Sequence, residues 1–395
     1  MFHATSGTPR FRLPGLLLLC LAAAVPAAAA RAADLNEAVA LVPTQYRHKL
    51  VQRLSLAEDK RDAWLDAIVK AKPEHREAVA FLLVNMPERD LAGLPPDRLL
   101  RDVEQAYAVR AAAPWGAAVP DEVFLNDVIP YSNLNERRDD WRPDFARRFA
   151  PLVKDCKTPG EAAQVLNKSI FKQLDVRYHA TKRPKPDQSP FESVEAKFAS
   201  CSGLSILLVD ACRAVGVPAR VAGTPLWADK SGNHTWTEVW DGRQWRFLGA
   251  AEPGPFDKTW FAELASKADG TKPEHRVYAA SFRQTGMPFL LVWDPANEAY
   301  PAVDVTAYYV ARRPLKVSVV GPDGKPAGWG TVVQVRRAGQ LVGQSTGPSA
   351  EFELGADVTY TVKAVLPDGR AVEAEAKLAR DADGAVEIRL PAAKA

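Results

Sequence analysis

The sequence predicts an α+β chain in three parts: an N-terminal helical region, a mixed core of helices and strands, and a C-terminal all-β sandwich. Three observations carry this. Apolar residues recur at three-and-four spacing through residues 34–115, the period of a helix with one buried face. A helix-like apolar run over 201–215 is followed by strand-like segments at 218–223, 233–240 and 245–249, with a turn at Asp241-Gly242. Beyond Pro314, seven strand-like runs occupy 315–320, 331–336, 341–345, 351–354, 358–366, 372–378 and 386–390. Turns such as Pro322-Asp323-Gly324 and Pro367-Asp368-Gly369 separate them, and this density of short strands suggests a sandwich. The boundaries follow as 1–33, 34–115, 116–313 and 314–395.

Residues 1–33 read as a secretory signal peptide. Arg10-Phe11-Arg12 precedes an apolar stretch from Leu16 to Ala24, and Ala30-Arg31-Ala32 is a small-residue cleavage site. The chain is then exported, to a periplasmic or extracellular compartment, with no stable membrane span after cleavage. A permanent anchor would need about 18 or more apolar residues, and Cys20 lacks the small residues before it that lipid attachment prefers. Cleavage removes three of the 51 basic residues and leaves 48 against 48 acidic ones. A neutral mature chain argues against a nucleic-acid partner. Cys156, Cys201 and Cys212 remain. In an oxidising compartment three cysteines allow one disulfide and one free thiol. Cys156 with Cys212 is the candidate bridge; Cys212 reads alternatively as a small buried residue on an apolar helix.

In chain order, Leu50 and Leu54 mark one helix, and Trp64, Leu65, Ile68 and Val69 a second. Pro73 opens a third through Leu83, and Pro95-Pro96-Asp97 a fourth through Tyr107. His48 and His75 sit among charged residues and are expected in solvent. The run Arg137-Arg138-Asp139-Asp140-Trp141-Arg142 reads as a solvated face. Thr158-Pro159-Gly160-Glu161 is a helix start: a capping threonine, proline in the first turn and glutamate at N3. That helix, carrying Leu166, Ile170 and Phe171, is expected to back the helix that follows. Residues 176–179 suggest a short strand, and the Pro-rich stretch 183–190 a loop able to wall a cleft. His179 is expected to play a structural part. After Pro253, residues 258–264 read as a helix, and 276–282 and 289–293 as strands.

The chemistry gathers between Ala199 and Pro253. Cys201 stands at the mouth of the helix-like run, where the N-terminal dipole favours the thiolate. Gly216 and Pro218 close that helix. His234 opens a strand, 33 residues on, and suits the base that takes the thiol proton. Trp236, Trp240 and Trp245 read mainly as core, with Trp236 a possible cleft wall.

Two segments resemble the transglutaminase-like superfamily. One is Cys201-Ser202-Gly203 with the following Asp210-Ala211-Cys212-Arg213-Ala214-Val215-Gly216-Val217-Pro218-Ala219-Arg220-Val221; the other is Asn233-His234-Thr235-Trp236-Thr237-Glu238-Val239-Trp240. The resemblance covers roughly residues 158–253. It implies a papain/transglutaminase-like core in which Cys201 is the nucleophile, His234 the base and a carboxylate the group that orients His234. In that family an aspartate commonly follows a tryptophan on the strand after the histidine; its place here falls on Gly249, and the sequence continues Ala250-Ala251-Glu252-Pro253. Glu252 is the candidate acid and Asp257 a second. The superfamily holds cross-linking acyltransferases, cysteine peptidases, peptide deglycosylases and inactive members. Two function classes result: an exported cysteine acyl-transfer enzyme acting on peptide or protein amides, and a catalytically degenerate scaffold that binds peptide or glycan. The C-terminal part resembles Ig-like or transthyretin-like modules appended to exported enzymes. No cofactor is implied, no His/Cys spacing suits zinc, and no calcium-loop pattern occurs.

Overall fold

The computed structural model describes residues 34–290 and 300–392. The expected signal peptide lies outside the described residues, as does the far end of the strand expected at 289–293; Phe289 and Leu290 are not in a strand.

Seven helices form the N-terminal part: α1 (Leu35–Ala40), α2 (Thr44–Ser55), α3 (Arg61–Lys70), α4 (Arg76–Asn85), α5 (Glu88–Gly93), α6 (Pro96–Ala112) and α7 (Asp121–Asp127). Each long one carries the expected three-and-four apolar stripe. Helix α4 is buried from Ala78 to Asn85, with α2, α3 and α6 packed against it. The buried Trp64 indole donates to the Leu91 carbonyl at 2.9 Å, and Trp115 donates to the Gly216 carbonyl at 2.9 Å, which ties this region to the core.

The core follows: α8 (Arg142–Val153), α9 (Pro159–Leu174), β1 (Arg177–Tyr178), α10 (Pro190–Ala196), β2 (Phe198–Ala199), α11 (Cys201–Ala214), β3 (Ala219–Thr224), β4 (His234–Trp240), β5 (Trp245–Leu248), α12 (Ala262–Ala265), β6 (Tyr278–Ala280), β7 (Ala302–Asp304) and α13 (Thr306–Val310). The five-stranded sheet has the order β5-β4-β3-β6-β7, and every neighbouring pair is antiparallel. Helix α11 is buried from Ser202 to Ala214 because α8, α9 and α10 and the strands β3 and β4 all pack against it. Its chain reverses through Gly216, at φ +78°. The capping box at Thr158 forms as expected, with the Glu161 N–H on Thr158 Oγ1 at 3.1 Å.

All seven C-terminal strands form: β8 (Arg312–Val320), β9 (Val332–Arg337), β10 (Gln340–Thr346), β11 (Ser349–Gly355), β12 (Val358–Val365), β13 (Ala371–Leu378) and β14 (Gly384–Arg389). They make a sheet β10-β9-β12-β13 and a sheet β11-β8-β14, with Val319, Val333, Phe352 and Val362 in the core they share. Strand β14 runs parallel to β8. An Arg336–Glu122 ion pair, Arg312 on Asp257 at 2.8 Å and Arg243 on the Glu351 carbonyl at 3.0 Å join this part to the rest.

Several expectations are corrected. The charge run at 137–142 is solvated only in part: Arg137 and Asp140 are exposed, whereas Asp139, Trp141 and Arg142 are buried and Arg138 is half-buried, the buried charges each finding a partner. Arg142, 2% exposed, donates to the carbonyls of Val128, Ile129, Pro130 and Arg213 at 2.9–3.2 Å. Arg138 pairs with Asp90 at 2.9 Å, and Asp139 accepts from Arg137 at 2.6 Å and from the Phe191 N–H at 2.8 Å. His75 is buried and stacks on Tyr107 at 4.3 Å; burial holds its pKa down. His48 is exposed, as expected. Helix α10 begins at Pro190, the last residue of the expected loop, and runs through residues for which no element is expected, started by a second capping box, Ser189 with Glu192. Cys156, Cys201 and Cys212 are all free, so the candidate bridge is not formed; Cys212 is a fully buried helix residue.

Candidate active site

Cys201 is the first residue of α11, and Ser200 before it is the cap: Ser200 Oγ accepts from the Gly203 N–H at 3.1 Å. The same hydroxyl donates to the Pro186 carbonyl at 2.6 Å. Gln188 donates to the Phe198 carbonyl at 3.0 Å. The Pro-rich loop is thereby fastened to the mouth of the helix. Ser202 Oγ and Thr235 Oγ1 lie 3.1 Å apart, which sets the first turn of α11 against the start of β4. Cys201 and His234 therefore open onto one cavity of about 440 Å³, with Arg183, Thr235, Glu252, Trp260 and the exposed Tyr178 on its walls.

His234 heads β4. Its ring lies 4.8 Å from that of Phe261, 4.9 Å from Trp260, 5.9 Å from Trp236 and 6.2 Å from Trp227, centroid to centroid. Nε2 is buried with no hydrogen-bond partner. Behind the ring, the Trp236 indole donates to Tyr309 Oη at 2.8 Å, Tyr309 donates to Glu238 at 2.7 Å, and Glu238 pairs with Arg220 at 2.7 Å. This buried chain fixes Trp236, which is fully buried and shields the imidazole from behind rather than lining the cleft.

Burial sets both protons. Desolvation pushes the His234 pKa down to about 4, so the imidazole is neutral at neutral pH. The Cys201 thiol is pushed up by burial, against opposing effects of the Thr235 and Ser202 main chains, the Thr235 hydroxyl and the Arg183 charge. The helix start is expected to favour a thiolate; here desolvation outweighs it. At rest the thiol and the imidazole that share this cavity are both neutral.

The third member is less direct. Glu252 lines the cavity, but its Oε1 accepts from the Trp260 indole at 2.9 Å, and among the described residues no hydrogen bond joins it to His234. Its own pKa is raised by burial, opposed by the Trp260 N–H. Asp257 is removed from the candidates: it serves Arg246 at 2.7 Å, Arg312 at 2.8 Å and the Phe247 N–H at 3.0 Å. His179 is structural, its Nδ1 accepting from the Thr181 and Lys182 N–H groups.

Sequence reasoning misses Asn167, which holds the turn carrying Glu252. It stands in line with the buried Ala163, Ile170 and Leu174 on α9, and a polar residue within an apolar stripe is the signal that could find it. Trp260 gives no such signal. A larger cavity, about 520 Å³, lies between the core sheet and the C-terminal strands. It is lined by no cysteine or histidine, and of its charged lining residues Arg220 pairs with Glu238 and Glu122 with Arg336. The described residues contain no group of three or more His, Cys, Asp or Glu able to hold a metal ion, and no described helix is long and apolar enough to cross a membrane.

Residues 146–250 match the model of the transglutaminase-like superfamily. No curated protein sequence matches the chain. Among solved structures, a candidate cysteine protease from Cytophaga hutchinsonii is 17% identical, with a TM-score of 0.25, over 29% of this chain and 39% of that one. Red sea bream transglutaminase is 10% identical, with a TM-score of 0.31, over 67% of this chain and 65% of the other. The chain thus spans less than two thirds of either structure.

Proposed function

Since residues 146–250 carry a transglutaminase-like core, we propose that this protein is an exported cysteine acyl-transfer enzyme acting on peptide or protein amides. The observation that supports it most is the meeting of Cys201 and His234 in one cavity, each delivered by the end of a buried element. As Cys201 Sγ attacks the carbonyl carbon, its proton passes to the neutral imidazole. The backbone N–H of Cys201, at the helix start, supports the oxyanion. The imidazolium returns the proton to the departing nitrogen, and a thioester remains. Water or an amine then attacks it and gives its proton to His234; the carbon–sulfur bond breaks, and the imidazolium passes that proton to the departing sulfur, restoring the neutral pair. Water makes the protein a peptidase or amidase and an amine makes it a cross-linking enzyme; we favour water. Glu252 is the acid that turns to His234 once the imidazolium forms.

A second reading has its own support. Among the described residues His234 Nε2 lacks a hydrogen-bond partner, as in a core that binds peptide or glycan without turning it over. The test is to incubate the protein with N-blocked glutamine peptides, with and without a primary amine. Ammonia release or amine incorporation that is lost in Cys201→Ala is the expected result. Saturable peptide binding in calorimetry with neither product would favour the scaffold.

A further inference from the structure

Gly249 immediately follows β5. The β4–β5 register pairs Thr237 with Leu248 and Glu238 with Phe247. One step further sets Gly249 across from Trp236, so a side chain at 249 would stand on the sheet face that carries Trp236 and His234. That space is already filled. A Cβ on Gly249 would lie 2.1 Å from Glu252 Oε2, 2.7 Å from its Cδ and 3.1 Å from its Cβ. The carboxylate of Glu252 thus occupies the volume of the side chain that Gly249 lacks.

The turn between the two residues is built to do this. The Glu252 N–H donates to the Gly249 carbonyl at 3.2 Å, and Ala251 holds φ +65°, a conformation that costs a non-glycine residue about 1–2 kcal/mol and persists only where the surroundings impose it. Asn167, 3% exposed, imposes it. Its Nδ2 donates to the carbonyls of Gly249 at 2.9 Å and Glu252 at 3.2 Å, and its Oδ1 accepts from the Ala251 N–H at 2.9 Å. Trp260 then holds Glu252 Oε1 while its ring lies 4.9 Å from that of His234, tilted by 55°.

We propose that the acid of this site is delivered from position 252 into the side-chain space of position 249, with Gly249 and Asn167 as its positioning residues. Gly249 acts by leaving the room and Asn167 by fixing the turn. Trp260 keeps the carboxylate while the imidazole is neutral; the imidazolium formed during catalysis draws it off. This rests on the reading of Cys201 and His234 as a nucleophile and base.

The test is the rate of Cys201 alkylation by iodoacetamide against pH, which needs no substrate, alongside turnover of the glutamine peptides. Glu252→Gln and Gly249→Ala are each expected to slow alkylation at neutral pH about tenfold. The Gly249→Ala fold should survive, because the atom displaced is the end of a flexible side chain. Asn167→Ala should slow alkylation too, and add nothing to Glu252→Gln in the double variant, a non-additivity that a merely structural residue would not give. The double variant Gly249→Asp/Glu252→Ala returns the acid to the strand and should recover most of the rate lost in Glu252→Ala. A double variant no faster than Glu252→Ala, or Gly249→Ala at the wild-type rate, overturns the placement. Wild type that alkylates in this pattern but turns over no amide would sink the acyl-transfer reading and leave the placement standing.

Discussion

At Cys201 and His234 burial acts on two protons in opposite senses. It raises the thiol and lowers the imidazole to about 4, so the proton stays on sulfur until a carbonyl arrives. Cys201→Ala should abolish turnover with an unchanged melting temperature, and His234→Ala should cost at least about a hundredfold in kcat/KM. Because the folded His234 pKa lies below the usual 6.5, the unfolded chain binds the proton more tightly. His234 thus contributes stability that is present above about pH 6.5 and lost as pH falls toward 4. The contribution is about 3 kcal/mol, and chemical unfolding of wild type against His234→Phe across pH 4 to 8 should show it as a difference in slope. Cysteine and histidine were both legible in the sequence, by residue type and by their places at the start of a helix and of a strand. Their protonation was not, because it depends on desolvation by Trp227, Phe261 and Trp260, which the chain brings from separate segments.

Helix α9 shows what periodicity reveals and what it hides. Its start is written in Thr158-Pro159-Gly160-Glu161, and the box forms. Thr158→Ala should cost about 1 kcal/mol in urea unfolding, with alkylation of Cys201 little changed, since Asn167 stands in the middle of the helix, more than two turns from the cap. Asn167 is missed because the apolar pattern directs attention to its neighbours. Helix α10 is missed for a different reason: Pro184, Pro186 and Pro190 mark an extended loop, yet Pro190 sits at the first helical turn, where proline is tolerated. The C-terminal strands are legible because alternation and turn residues act locally. Their division into two sheets, with β14 parallel to β8, depends on long-range pairing that local signals do not carry.

Across the whole molecule, buried arginines hold the parts together. Arg142 on α8 and Arg213 on α11 both reach the residue 127–132 segment: Arg142 the Val128, Ile129 and Pro130 carbonyls, Arg213 those of Asp127, Pro130 and Ser132. Arg142→Ala leaves the Val128 and Ile129 carbonyls without their arginine donor and should destabilise by about 2–5 kcal/mol, read as a lower urea midpoint. Composition counts such residues as charged and exposed; only the fold shows them inside.

Trp260 gives the molecule an optical property. Most described tryptophans are buried, whereas Trp260 is 60% exposed, with its N–H on Glu252 and its ring against His234. Its emission should lie to the red of the buried indoles, be reachable by acrylamide, and dim when a molecule enters the cleft or the imidazole gains a proton. Trp329, 80% exposed on the C-terminal part, would share the quenching but not the dimming, so Trp329→Phe leaves a chain whose own fluorescence reports, without a dye, on what stands beside Cys201.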